Sequence, residues 1–286
     1  MKRIIIVGFL GLWGFTLLQV VGCRPMKEVN DGDSSLGIVD SPPASPDIVA
    51  DPSCANLAPV IVADCQTEAQ QILDTTVRLE FHGPGGGIGH GTILSGRYLI
   101  THNHYPVSGE ALSRDGDGLI SAVSIFRANG DVILLKAPLS TFLVLLFTPE
   151  VLVLDFREHS GIGFFDSVGV PSAKSTSFSV LNIKPGSEVA QINWDMTAAY
   201  VIWARVTAVQ AGGNAPYIEL ASFVEQGASG GGVFYNGYYI ANNWTRNIDR
   251  DASTGEVLRQ YSVAAINTGS VLSATSGTTG VPAIGN

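Results

Sequence analysis

Short runs of Val, Ile, Leu, Phe and Tyr recur along most of this chain, and Gly, Pro or Asn-Gly separates one run from the next. Apolar runs of this length with such breaks are typical of β-strands joined by turns. Asn129-Gly130 and Asn236-Gly237 each stand between two runs, and Asn-Gly favours the positive φ angles of a two-residue turn. The sequence therefore predicts an all-β protein with at least two hairpins.

The strand patterns divide into two halves of seven. The first half has patterns at residues 76–81, 91–95, 97–102, 122–126, 131–137, 142–147 and 151–156. The second half has patterns at residues 177–181, 188–194, 200–209, 217–222, 231–235, 238–244 and 259–266. Only residues 67–74 look helical, and residues 268–286 look like a loose tail. This count fits two six-stranded antiparallel β-barrels packed together, in a domain over residues 54–267.

The N-terminus has the pattern of an export signal over residues 1–22. Lys2 and Arg3 precede an apolar run that ends just before Cys23. Residues 20–23, Val-Val-Gly-Cys, resemble a bacterial lipobox, which implies that Cys23 becomes a lipidated N-terminus. An uncleaved membrane anchor is the alternative, because a run of about 19 apolar residues can span a bilayer. Both interpretations predict a domain outside the cytoplasm, on a bacterial cell surface.

The segment after Cys23 is predicted to be a flexible tether up to residue 53. It mixes Pro, Ser and Asp without apolar periodicity. The chain has a net charge of -9 and no basic cluster, which argues against nucleic acid as a partner. Cys54 and Cys65 follow the tether, and in an oxidising compartment they are predicted to form a disulfide, with two free thiols as the alternative.

A glycine-rich segment in the second half carries the first catalytic candidate, Ser229. Residues 227–232 read Gly-Ala-Ser-Gly-Gly-Gly. Glycines around a serine let the backbone turn sharply and direct its amides at a substrate carbonyl, as an oxyanion hole requires. The nucleophile elbow of α/β-hydrolases would need a helix next, whereas a hairpin pattern follows here. A glycine-rich surface turn is the structural alternative.

A strand pattern in the first half leads to two histidines, His102 and His104. A histidine at the end of a strand is suited to act as a general base, and an ordinary core or surface histidine is the alternative. The pair also has the start of the His-x-His pattern of two-metal hydrolases, but the downstream ligands are missing. A calcium loop at residues 113–124 is similarly incomplete, because Ser124 stands where a bidentate Glu is needed.

Together these two segments resemble the chymotrypsin-like (trypsin-fold) serine peptidases. Residues 97–104, RYLITHNH, resemble the strand that ends in Thr-Ala-Ala-His, and residues 227–232 resemble Gly-Asp-Ser-Gly-Gly-Pro. The resemblance covers about residues 75–267, and short bacterial members such as the glutamyl endopeptidases are the most similar. It implies that His104 is the general base and Ser229 the nucleophile, with an oxyanion hole formed by the amides of Gly227 and Ser229.

The same resemblance implies further roles. Phe223 takes the place at the base of the primary specificity pocket, and Asn243 with Trp244 takes the place of the edge that pairs with substrate backbone. Ala228 replaces the family's Asp, so activation by a newly cut N-terminus is not expected. The family implies a protein or peptide substrate, no cofactor and a monomer.

The third triad member is less defined. Glu150, 46 residues after His104, is the first choice, because it precedes a strand pattern as the family's acid does. Asp131 is the second choice and Asp155 the third. The resulting hypothesis is a serine endopeptidase that works through an acyl-enzyme. Because the acid is unusual, the competing hypothesis is an inactive member of the fold that serves as a surface binding module.

Overall fold

The computed structural model describes only part of the chain. The described residues are 59–83, 86–103, 120–138, 141–148, 150–156, 158–159, 162–213 and 215–276. The predicted signal and tether, which include Cys23, lie outside these residues, and so do Cys54 and His104. The side chain of Cys65 is not described either, so the predicted disulfide stays a prediction.

The first half of the chain folds into a seven-stranded antiparallel sheet. Its strands are β1 (Thr76–His82), β2 (Gly87–Leu94), β3 (Tyr98–Thr101), β4 (Ala122–Arg127), β5 (Val132–Pro138), β6 (Leu143–Phe147) and β7 (Leu152–Asp155). They lie in the order β5-β4-β1-β2-β3-β7-β6. Thr101, at the end of β3, lies opposite Leu152, at the start of β7. Two short strands, β8 (Glu158–His159) and β9 (Ile162–Gly163), pair with each other beyond this sheet.

The second half folds into a closed barrel. Its strands are β10 (Lys174–Ser175), β11 (Glu188–Trp194), β12 (Ala199–Gln210), β13 (Tyr217–Leu220), β14 (Gly232–Tyr235), β15 (Tyr238–Arg250) and β16 (Val257–Ile266). The pairing of β15 with β16 closes six of these strands, and β10 adds to β15 as a parallel seventh. The prediction of two antiparallel β-barrels is confirmed, with one more strand in each sheet than predicted.

Alternating residues of β2 and β3 connect the two barrels. Ile93 and Leu99 point into the core of the first barrel. Leu94, Tyr98 and Ile100 belong to a different cluster, which also contains residues of the second barrel such as Ile192 and Phe234. Because side chains alternate between the two faces of a strand, both faces of β2 and β3 are buried.

Three helices and one short 3-10 turn complete the described fold. The helices are α1 (Pro59–Asp74), α2 (Phe164–Ser167) and α3 (Thr268–Ser276), and the 3-10 turn covers Phe178–Val180. Helix α1 starts earlier than the predicted 67–74, and α3 occupies the start of the predicted loose tail, with Val271 fully buried. The strand predicted at 177–181 is wrong, because Phe178–Val180 form the 3-10 turn. Phe178 is buried, which explains the apolar pattern, but it is buried from a turn and not from a strand. None of the described helices is long and apolar enough to span a bilayer.

The two Asn-Gly sites form different turns. Asn236 and Gly237 have φ angles of 51° and 75°, as a two-residue hairpin turn between β14 and β15 requires. At the other site only Gly130 has a positive φ angle, and the Arg127 amide donates to the Asp131 carbonyl across a three-residue loop. Both sites therefore join neighbouring antiparallel strands, as predicted.

Candidate active site at the junction of the barrels

The serine loop, defined here as residues 227–232, lies between β13 and β14 of the second barrel. Gly227 and Gly230 have φ angles of 96° and 79°, which side chains rarely adopt. A Cβ atom on Gly227 would collide with the ring of Trp194, and a Cβ atom on Gly230 would collide with Thr101 Oγ1. These glycines are thus required both by their backbone angles and by close packing.

Asn243 of β15 holds the serine loop from inside the second barrel. Its Nδ2 donates to the carbonyl oxygens of Ile192 and Ala228, at 2.7 and 3.1 Å. Its backbone N–H donates to Gly231, and its carbonyl accepts from the Gly230 amide. The Asn243 side chain is 1% exposed. The Asn243 side chain therefore supports the serine loop, and its predicted role at the substrate-binding edge stays a prediction.

A buried polar network continues from Asn243 through the second barrel. Gln191 Nε2 donates to Asn243 Oδ1 at 2.7 Å and to Ser262 Oγ at 3.0 Å. The Ser222 hydroxyl donates to Gln191 Oε1 at 2.6 Å. Buried polar groups need such partners, because an unpaired group loses its hydration without compensation. The network fixes the orientation of the Asn243 amide and, through it, the serine loop.

Two backbone N–H groups of the serine loop are not used in hydrogen bonds within the described structure. The Ala228 carbonyl accepts from Asn243, and in a trans peptide the N–H of Ser229 points in the opposite direction. Among the described residues, no group accepts a hydrogen bond from the N–H of Gly227 or of Ser229. Gly227 and Ala228 are buried, whereas Ser229 is half-buried. The loop can therefore offer two amide donors beside a serine hydroxyl.

The first barrel meets the serine loop at the end of β3. The Thr101 hydroxyl donates to the carbonyl of His90 at 2.6 Å, and the His90 backbone N–H donates to the Ser229 carbonyl at 2.8 Å. A Cβ atom on Gly230 would also lie only 2.8 Å from the ring of His102. The strand that leads to His104, three residues after Thr101, thus ends against the serine loop.

The three candidate acids have different places in the fold. Asp155 lies at the far end of β7, opposite Tyr98, and forms a two-point ion pair with Arg97 at 2.5 and 2.8 Å. Glu150 precedes β7, next to the end of β3, and its carbonyl accepts from Asn242 Nδ2 of the second barrel. The structure therefore places Glu150 near the serine loop and Asp155 away from it.

The second-choice acid, Asp131, stands at the same end of the first sheet as Thr101. When the pairings are followed from β5 across β4, β1 and β2 to β3, Asp131 lies level with Thr101. Asp131 is exposed, and its carboxylate accepts from Asn129 Nδ2 at 2.9 Å within the turn. Asp131 is thus level with Thr101, with three strands between them, and its carboxylate is hydrogen-bonded within its own turn.

Phe223, the predicted base of the specificity pocket, is half-buried below Arg246. The Arg246 guanidinium lies 5.0 Å from the centre of the Phe223 ring and forms a half-exposed ion pair with Glu225 at 3.5 Å. Trp244, the other predicted substrate contact, is half-buried at a bulge of β15. Phe223 and Trp244 are therefore accessible, in contrast to Asn243.

Comparisons with known proteins identify solved structures with a similar fold. No known protein-family model matches the chain, and no curated relative was found. An HtrA-type protease, AlgW with a tripeptide, shares 14% identity over 72% of this chain, with a TM-score of 0.50, and the match spans 60% of the AlgW chain. The active form of the Rv3671c protease from M. tuberculosis shares 16% identity over 88% of this chain and 98% of its own, also with a TM-score of 0.50. At these identities the similarity establishes the fold.

Sequence analysis missed one residue of this site, His90. Its ring Nδ1 is 2.8 Å from the Gly227 carbonyl, and the ring is fully buried beside Trp194. Burial lowers the pKa of His90 from 6.5 to about 4. The Gly-His-Gly string at residues 89–91 lies in a strand that was predicted to start only at residue 91. A longer strand prediction would have placed His90 beside the end of β3.

Proposed function

We propose that this protein is an extracytoplasmic serine endopeptidase. One observation carries the proposal: the serine loop, with two available amides, contacts the strand that leads to His104. Nucleophile, base and oxyanion donors of acyl transfer must lie within a few ångströms of one another. The fold that this chain shares with AlgW and Rv3671c supports the proposal.

In the proposed mechanism, His104 takes the proton of the Ser229 hydroxyl as its oxygen attacks a peptide carbonyl. The amides of Gly227 and Ser229 donate to the oxyanion that develops. His104 then protonates the leaving amine, and water hydrolyses the acyl-enzyme with the same histidine as base. Glu150 is proposed to orient His104, and no cofactor takes part.

A fluorophosphonate probe tests this proposal, because it phosphonylates only activated serines. The wild-type chain is expected to be labelled, and Ser229→Ala and His104→Ala are expected to lose labelling. Ser253→Ala is the matched control, because Ser253 lies in an exposed turn where its hydroxyl donates to Asp251. Failure of the folded wild-type chain to react would overturn the peptidase and favour the binding module.

The choice of the acid is tested with the same probe. Glu150→Gln is expected to slow labelling by about 100-fold or more, as loss of the orienting carboxylate does in such triads. Asp155→Asn is the control, because its carboxylate is paired with Arg97 at the other end of β7. A slow Asp131→Asn variant together with a normal Glu150→Gln variant would transfer the role to Asp131.

The substrate is proposed to be a protein or peptide, bound by a monomer. AlgW was solved with a tripeptide, which supports a peptide as the ligand. Phe223 and Trp244 are the proposed contacts for the substrate. Cleavage of a denatured protein by the wild-type chain, with no cleavage by Ser229→Ala, would support this assignment, and mass analysis of the products would identify the cleavage preference.

Attachment to the membrane through Cys23 is a separate proposal that rests on the resemblance to a lipobox. The chain isolated from bacterial membranes is expected to begin at a diacylated Cys23, and Cys23→Ser is expected to remain uncleaved. An intact N-terminal mass for the wild-type chain would favour the uncleaved anchor instead. A mass difference of about two daltons on reduction would support the Cys54–Cys65 disulfide.

A further inference from the structure

His90 bonds to the serine loop at two points, although it belongs to the other barrel. Its backbone N–H donates to the Ser229 carbonyl, and its ring Nδ1 lies 2.8 Å from the Gly227 carbonyl. Its own carbonyl accepts from the hydroxyl of Thr101. One residue of β2 therefore connects the strand that leads to His104 with both residues of the proposed oxyanion hole.

The chemistry of the contact defines the protonation of the ring. A carbonyl oxygen can only accept, so His90 Nδ1 must carry the proton and donate it to Gly227. Nε2 is then unprotonated, and it has no hydrogen-bond partner among the described residues. The lowered pKa of His90 agrees with a neutral ring at pH 7. The buried ring thus has one defined tautomer and makes one defined bond, to the serine loop.

This bond fixes a peptide plane of the serine loop. The Gly227 carbonyl accepts from His90, and the Ala228 N–H at the other end of the same peptide donates to Glu225 at 3.2 Å. The next peptide is held by Asn243 through the Ala228 carbonyl. This plane lies between the two peptides that carry the Gly227 N–H and the Ser229 N–H, so its orientation sets how these two N–H groups face each other.

Ala228 gives the loop no anchor of its own. Its side chain is a methyl group, fully buried in a small apolar cluster with Trp194 and Val224. A methyl group can neither form an ion pair nor accept a hydrogen bond. Gly227 is free to take several backbone conformations, because it has no side chain. The orientation of its carbonyl must therefore be set from outside the loop, and the ring of His90 is the group that contacts it.

We propose that His90 is a positioning residue that holds the oxyanion hole open by donating from Nδ1 to the Gly227 carbonyl. This role rests on the proposed function of Ser229. His90 touches neither substrate nor the reacting atoms, so it acts through the two amides. Because this hydrogen bond crosses the junction of the barrels, the activity depends on the position of the first barrel relative to the serine loop.

Three variants test the role of the Nδ1 donor. His90→Leu removes the donor and is expected to slow fluorophosphonate labelling by about 10- to 100-fold, less than the loss of an oxyanion donor itself. His90→Gln places its amide nitrogen near the position of Nε2 and is expected to be equally slow. His90→Asn places an amide nitrogen near the position of Nδ1 and is expected to recover most of the rate.

The matched control is His82→Leu in the same barrel. His82 Nε2 is 2.7 Å from the Ser124 hydroxyl at the opposite end of β1, so its loss is expected to lower stability and leave the labelling rate unchanged. Labelling of His90→Leu and His90→Gln at the wild-type rate would overturn the role of His90 but would not contradict the proposed peptidase activity. An unreactive wild-type chain would instead overturn the peptidase, and the role of His90 with it.

A second measurement is made on the wild-type chain itself. Nitrogen-15 spectra of the wild-type histidines at pH 7 are expected to show the Nδ1–H tautomer for His90, assigned by its disappearance in His90→Asn. The opposite tautomer, protonated at Nε2, would overturn the bond to Gly227. The assignment therefore tests the geometry directly, and the labelling rates test its consequence.

Discussion

The two barrels bury different chemistry. The first barrel is filled by apolar side chains, including a group of rings in mutual contact, Phe142, Phe156, Phe164 and Phe165. The second barrel buries five carboxamide side chains, Gln191, Asn193, Asn242, Asn243 and Asn267. Every one of these amides has a hydrogen-bond partner in the described structure. The first barrel also buries polar groups, among them His90, Asn103 and Asp155, but the carboxamide network that contacts the serine loop belongs to the second barrel.

This difference follows from where the loops of the site are attached. The serine loop belongs to the second barrel, so the donors that hold its carbonyls come mostly from that barrel's interior. The first barrel contributes the end of β3, with the buried side chains of Thr101 and His102, and the buried ring of His90 from β2. Comparison of the two barrels thus predicts that changes to the apolar core of the first barrel affect stability alone, whereas changes to the polar groups that hold the serine loop affect stability and activity together.

The largest expected effect is on the stability of the first barrel. Phe165 is fully buried and contacts Phe156 and Phe164 at ring distances of 5.0 Å. Phe165→Ala is expected to lower the free energy of unfolding by about 3–5 kcal/mol, because it leaves a cavity. Urea denaturation measures this loss, and the folded fraction should label at the wild-type rate. A large change in the labelling rate would show that the first core also shapes the site.

A pH effect is expected at His90, where the first barrel carries a polar group. Burial, with a smaller contribution from Arg78 across the β1–β2 pair, lowers the pKa of His90 from its ordinary value of 6.5 to about 4. The unfolded chain therefore binds more protons between these values, and stability falls as pH drops from about 7 to 4. The expected loss is about 3 kcal/mol. In urea titrations, His90→Asn should lose less stability than wild type over this range, and an equal loss would contradict the burial of a neutral ring.

An intermediate effect is expected in the second barrel, at Asn243. Asn243→Ala removes the donor to Ile192 and Ala228 and leaves the Gln191 amide without one acceptor. It is expected to cost about 2 kcal/mol of stability and to slow labelling by at least tenfold. Asn267→Ala is the control, because Asn267 is also buried but bonds to Tyr239 and Asn242. Equal labelling by both variants would contradict the support of the serine loop by Asn243.

The smallest expected effect is on the surface of the second barrel. Arg259 and Glu219 form a partly exposed ion pair at 3.2 Å. Arg259→Ala is expected to change the free energy of unfolding by less than about 1 kcal/mol, since solvent screens such pairs, and not to affect labelling. Thermal or urea denaturation in low and high salt measures this change. A larger loss that disappears in high salt would show that surface charge contributes more to this barrel than its exposure suggests.

The strands were predictable from sequence to a large extent, because each carries its own pattern of apolar residues between turn formers. The run Glu188–Trp194 was predicted with the observed bounds, whereas the long ends of β15 and β16 were not. The unpredicted part of β15, residues 245–250, is mostly polar, and the unpredicted residues of β16, Val257 and Leu258, are exposed, so neither end has the alternating burial that signals a strand. Phe178–Val180 had the apolar pattern but not the strand pairing.

What the sequence by itself determined is the set of local features: the strand patterns, the Asn-Gly turns, and the glycines that let residues 227–232 turn sharply. Each of these depends on neighbours along the chain. Only the tertiary structure brought His90 to the Gly227 carbonyl, Asn243 to the underside of the serine loop, and Arg97 to Asp155. These contacts join residues 137 and 58 positions apart or, for Asn243 and Ala228, a strand and a loop 15 positions apart. A buried polar group takes its role from the partner that the fold supplies, and one sequence alone does not specify that partner.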